Sequence, residues 1–175
     1  MHFSRKENRI LSVDNRITEI VNVISVREDK TMENMANTVA RIPNLVDWST
    51  GEIRLMSAKC NSCGTYFFPK EHYQHRPGCS REGVEGVLLP SKGKLASFTV
   101  QHYPCPPPFK TEKKITPYGI GLVEFEDEKI QVAGIITDTD LKSLELGMKM
   151  ETTTLEMYTN EEKQQVVTWA FRAVK

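Results

Sequence analysis

Cys60 and Cys63 stand two residues apart with Gly64 directly after them, and His75 and Cys79 follow in the next stretch of chain. Two thiolates at that spacing sit in one tight turn, which aims both sulfurs at a single point while backbone N–H groups stabilise their charge. Gly64 suits the left-handed conformation such a turn needs, where a Cβ would clash. His75-Arg76-Pro77-Gly78-Cys79 adds an imidazole and a third thiolate. Together the four residues make a donor set for a structural, tetrahedral zinc ion with no open coordination position. His72 competes with His75, but it lies further from Cys79 and needs a wider loop. Paired ligands usually sit about two to five residues apart, which favours His75. Cys105, held between Pro104 and Pro106, reaches such a site only through a long-range contact. A redox dithiol is the competing chemistry, and it wants its two cysteines at a helix N-terminus. Here Tyr66-Phe67-Phe68-Pro69 follows, an aromatic strand-like run stopped by proline.

The elements that position these ligands are short. Glu52 to Ala58 reads as a strand into the knuckle, Tyr66 to Phe68 as one leaving it, and Val84 to Leu89 as one closing the unit before Pro90. So few apolar residues do not hold a fold unaided, and small modules of this kind rely on a metal. The segment 51–90 is therefore expected to be a rubredoxin-like zinc ribbon.

After residue 91 the chain alternates like β-structure. Ala96, Phe98 and Val100 are expected on one face of a strand, with Ser97, Thr99 and Gln101 on the other. Ile120–Phe125 and Ile130–Ile136 flank a Glu126-Asp127-Glu128 hairpin turn. Thr137 to Asp140 offers capping side chains for a short helical turn carrying Leu141 and Leu144 and ended by Gly147. Met148–Tyr158 and Gln165–Phe171, parted by Asn160-Glu161-Glu162-Lys163, complete five strands. Five strands with a short helical connection between the third and fourth describe an OB-fold barrel over 91–175, and the proline-rich excursion from Pro104 to Pro117 falls where such a barrel carries a binding loop. Residues 1–50 read as an N-terminal extension, partly helical, with Ile10, Val13, Ile17, Ile20 and Ile24 at helical spacing. The fold class is mainly β.

The chain of 175 residues holds 23 basic and 23 acidic side chains. Beyond residue 90 the balance is 11 basic against 12 acidic, a count made on the same sequence. Nucleic-acid-binding domains usually show a basic excess or stripe. The densest basic group, Lys110 with Lys113 and Lys114, has three charges. No apolar run approaches the ~20 residues of a membrane span. Cysteines grouped as a metal cluster fit a reducing compartment, and the cytoplasm is the expected location.

A cysteine-knuckle ribbon followed by an OB barrel resembles the DUF35 family of acyl-CoA-associated proteins. The residues that carry the resemblance are Cys60-x-x-Cys63-Gly64, Phe67-Phe68-Pro69, Gly93 to His102, Pro117-Tyr118, Gly121-Leu122-Val123-Glu124, Asp138 with Leu141, and Leu146-Gly147-Met148. Their order and spacing are more specific than any one of them, and they span roughly residues 50 to 175. One departure is that the family's second ligand pair is usually CxxC, whereas His75-x-x-x-Cys79 stands here.

The resemblance implies a partner rather than a reaction. Members of the family sit beside thiolase-fold enzymes, and the partner holds the nucleophilic cysteine. It implies a non-catalytic, zinc-binding subunit of a thiolase-type acyltransferase complex, forming a hetero-oligomer and sharing a coenzyme A ester at or near the interface. His102, Phe109 and Tyr118 are the candidate contacts with partner or acyl-CoA. No Ser-His-Asp order, nucleophile elbow, P-loop or GxGxxG fingerprint occurs. His102 is the one candidate general base, because imidazole titrates near neutrality. The competing class is a nucleic-acid binder, since OB barrels and zinc ribbons both serve that purpose.

Overall fold

A computed structural model describes residues 37–71, 76–109 and 116–174. The helical reading of the N-terminal stripe, His72, His75 and the lysine group 110–114 all lie outside these residues. Thr38–Lys175 forms one compact unit, and its regular elements among the described residues are β-strands and two short 3₁₀ turns.

The ribbon is built on β3 (Arg54–Cys60), which pairs at one end with β2 (Val46–Asp47) and near the other with β4 (Tyr66–Phe67). β5 (Val84–Leu88) pairs antiparallel along β3 from Met56↔Leu88 to Cys60↔Val84. These strands match the three expected from the sequence to within two residues at each end. β2 belongs to the stretch read as N-terminal extension.

The barrel follows as β6 (Lys92–Gln101), β7 (Tyr118–Phe125), β8 (Ile130–Ile136), β9 (Lys149–Thr159) and β10 (Gln165–Ala173). β6–β7, β7–β8, β9–β10 and β6–β9 are antiparallel, while β8 and β10 run parallel at Ile135↔Ala170 and Ile136↔Phe171. The sheet thus closes on itself in the five-strand order of an OB fold. Between β8 and β9 a 3₁₀ turn spans Leu141–Ser143, capped by the Asp140 side chain accepting from Lys142 N at 3.1 Å. Gly147 then turns the chain, and its N–H donates to the Leu95 carbonyl at 2.8 Å. β8 covers only part of β10's edge. β1 (Thr38–Ala40) covers another part, parallel to Gln165–Val167, so that edge of the seam is not left as open backbone.

Strand alternation selects the core, with one correction. The β6–β7 register shifts between Leu95 and Ser97, which makes Ala96 a bulged residue instead of a regular member of the Phe98–Val100 face. The bulge lets Leu95, fully buried, and Phe98, packed against the core, both turn inward although they are three apart. The main core joins Leu95, Val123, Phe125, Ile136, Met150 and Phe171 of the barrel to Leu55 of β3 and Leu89, which follows β5. Ribbon and barrel therefore share one apolar interior. Phe68 meets Trp169 edge-to-face across the same junction, ring centroids 5.4 Å apart, and Arg54 Nε donates to the Leu89 carbonyl at 2.8 Å. Among the described residues no helix is long and apolar enough to cross a membrane.

Candidate metal centre

Cys60 ends β3 with its backbone fixed on two sides: its N–H donates to the Thr65 carbonyl at 3.0 Å, and the Gly64 N–H donates to its carbonyl at 2.8 Å. Gly64 has φ 71°, the left-handed value the sequence led one to expect. That turn carries Cys63 back over Cys60, and the Cys63 thiol donates to Thr65 Oγ1 at 3.3 Å. Asn61 N–H donates to the Gly83 carbonyl at 2.8 Å, which ties the knuckle to the second loop. On that loop Cys79 N–H donates to the Arg76 carbonyl at 3.3 Å, and Ser80 Oγ accepts from Glu82 N at 3.1 Å to start the turn into β5.

The result is that the sulfurs of Cys60, Cys63 and Cys79 all lie within 4.8 Å of one another. A tetrahedral zinc with bonds of about 2.3 Å separates its thiolate ligands by roughly 3.8 Å, so the arrangement fits the ion. Cys60 is buried, the other two are half-buried, and with Ala58, Phe67 and Val84 they form the small separate core of the ribbon. Desolvation, then hydrogen bonding and repulsion from Cys63 and Cys60, push the Cys79 thiol up to about 11. Three thiols so crowded do not ionise together on their own; a bound divalent cation would supply the compensating charge. The knuckle joins two strands and opens no helix, which removes the setting a redox dithiol needs. His72 and His75 both lie outside the described residues.

Cys105 does not join the cluster. It is half-buried beside Tyr118; burial raises both groups, and the interaction with Tyr118 partly offsets the rise at Cys105. Tyr118 opens β7 opposite Gln101, so His102 and Tyr118 flank the same end of the β6–β7 pair. His102 is exposed, Phe109 is half-buried with its N–H donating to the Pro106 carbonyl at 3.3 Å, and Tyr103 beside them is 74% exposed. The sequence reading gave Tyr103 no part in partner contact. Its exposure follows from lying just past the end of β6.

A thiol-lined ribbon continued into an OB barrel defines the class of protein, and the comparisons agree. A family model described as "ChsH2, C-terminal OB-fold domain" matches residues 86–155. A DUF35 domain-containing scaffold protein of Methanothermobacter thermautotrophicus is 35% identical over 98 residues, 55% of this chain and 68% of that protein. The corresponding scaffold protein of Methanocaldococcus jannaschii is 33% identical over 98 residues, 55% of this chain and 64% of its own length. The fold is also that of a solved structure titled "Ltp2-ChsH2(DUF35) aldolase", with a TM-score of 0.52 and 24% identity over 69% of this chain and 84% of that one. The chain belongs to the DUF35 family.

Proposed function

We propose that this chain is a non-catalytic, zinc-carrying subunit of a thiolase-type acyl-CoA acyltransferase complex, which supports a thiolase-fold subunit holding the reactive cysteine. The observation that carries the reading is the match to archaeal DUF35 proteins named as scaffolds. The fold neighbour's title, which pairs a DUF35 protein with Ltp2 in an aldolase, points the same way. The shared core supports it physically: Leu55 and Leu89 lock ribbon to barrel, which gives a partner a rigid platform.

Zinc is held by Cys60, Cys63, Cys79 and His75 and is structural, closing a ribbon (51–90) whose own apolar core is too small to fold alone. The OB domain is 91–175, and its loop base near His102, Phe109 and Tyr118 contacts the partner or the acyl-CoA ester at the interface. The location is cytoplasmic.

Co-expression with a thiolase-fold subunit, followed by size-exclusion chromatography, tests the assembly. One co-eluting peak is expected, with acyl-CoA turnover only in the complex. Separate peaks at micromolar concentration, with full thiolytic activity in the large subunit alone, overturn the reading. Metal analysis is expected to find one zinc per chain. Loss of zinc in His75→Ala but not in His72→Ala fixes the fourth ligand.

A further inference from the structure

On β7 the buried members are Gly119, Gly121, Val123 and Phe125, so Tyr118, Ile120, Leu122 and Glu124 project outward, each half-buried. Glycine stands on the inner side for a steric reason: a Cβ on Gly121 would meet Leu95 Cδ1 at 2.9 Å and Ile136 Cδ1 at 3.0 Å. The larger aliphatic side chains are thereby left on the outer face. Register places them in the middle of a neutral patch. Ile120 lies between Thr99 and Ile135, and Leu122 between Ser97 and Ala133. None of these six side chains is charged. The patch ends at Glu124, which accepts from Gln131 Nε2 at 3.4 Å, and at its other end it runs into Tyr118, Gln101 and the exposed Tyr103.

An antiparallel sheet with one face on its core normally turns polar side chains to water on the other. β-branched residues also occupy exposed sheet positions for conformational reasons alone, so Ile120 and Ile135 by themselves decide little. Position decides. β7 and β8 are the second and third strands of the OB barrel, and that face, with the loop after the first strand, is where such barrels take their ligands. Here the loop after the first strand is the one carrying Tyr103.

The chemistry of the face then selects the occupant. A single-stranded nucleic acid needs a basic groove with stacking aromatics, and none of the six side chains at the centre of the patch is a cation. A charge-depleted centre with a polar rim is the composition of a protein–protein interface core.

We propose that the outer face of β6, β7 and β8, centred on Ile120, Leu122 and Ile135, is the surface onto which the catalytic partner subunit docks, an inference that rests on the scaffold reading above. The occupant is an uncharged apolar surface of that subunit, and Tyr103 and Tyr118 form the aromatic edge of the contact.

The test compares the full-length wild-type chain with Ile120→Lys/Leu122→Lys, each co-expressed with the thiolase-fold subunit, with Gln131→Lys as the control at the polar end. The double variant is expected to bind the subunit more than about tenfold more weakly, since interface energy concentrates in a few central residues, while zinc content and thermal melting stay those of wild type. Hydroxyl-radical footprinting of the wild-type complex gives a readout independent of the variant's folding: Tyr118, Ile120 and Leu122 become protected on assembly. If wild type fails to bind at all, the scaffold reading itself falls. If wild type binds while these side chains stay accessible and the double variant binds equally well, the scaffold reading stands and this face is wrong. A wild-type chain that self-associates through the patch, or retention on single-stranded DNA that the double variant abolishes, also overturns it.

Discussion

The ribbon and the barrel are stabilised in opposite ways. The ribbon's separate core has three buried members, Ala58, Cys60 and Phe67, one of them a metal-site cysteine. The barrel's core is a continuous set of large side chains reaching from Leu95 to Phe171. One unit gathers three thiols around a candidate metal site and the other rests on apolar burial, yet Leu55 and Leu89 bind them into one interior. The comparison teaches that the thiol cluster is not isolated from the barrel: whatever loosens the ribbon reaches the barrel through those two leucines.

The largest break expected is Cys60→Ser. Structural zinc contributes on the order of 10 kcal/mol of apparent binding energy to modules of this kind. The variant should therefore lose zinc, open the 51–90 segment and, through the loss of Leu55 and Leu89 from the shared core, weaken the barrel; metal analysis with hydrogen exchange follows the two units. Phe171→Ala cuts the other way. Removing a fully buried phenylalanine costs about 3–5 kcal/mol, and denaturant unfolding should show that loss with the zinc site still loaded at the native-state end of the titration. Leu55→Ala, at about 2–5 kcal/mol, should lower the barrel's stability and the ribbon's zinc retention together. If only one of them changes, the two cores are less coupled than their packing indicates.

Smaller perturbations sharpen the same contrast. Phe68→Ala removes the edge-to-face contact with Trp169, which is worth about 0.5–1.5 kcal/mol beyond its buried area, and should lower the melting temperature without separating the two units, which Leu55 and Leu89 still join. pH separates metal-bound from metal-free ribbon. The folded, metal-free chain holds the Cys79 proton more tightly than an ordinary thiol, whose value is 9.0, with release near 11. Its contribution to stability is thus complete below 9.0 and lost as pH rises toward about 11. The zinc form holds Cys79 as thiolate and should not show that loss; melting curves across this range, with and without chelator, check the difference. The smallest effect belongs to the surface. Glu126→Gln breaks the Lys94–Glu126 pair, 2.7 Å apart with both side chains about half exposed, and should shift stability by less than about 1 kcal/mol.

The amino-acid sequence by itself determined whatever depends on near neighbours. The Cys60-x-x-Cys63-Gly64 spacing dictates the knuckle because two residues and a left-handed glycine close that turn without outside help. Alternation placed the five barrel strands, and Asp140 announced the capped turn before Leu141. The tertiary structure decided everything that hangs on which strand lies beside which. Thr38–Ala40 has no local signal for the edge of β10 it covers, and Cys105 does not join the other three cysteines. The Ala96 bulge inverts the parity of β6 partway along. In Tyr118-Gly-Ile-Gly-Leu-Val-Glu-Phe125 a period of two names two faces without saying which is inside. A reader weighing apolar bulk would bury Ile120 and Leu122, but Leu95 and Ile136 already fill the space beside Gly121, and excluded volume turns the aliphatic side chains outward.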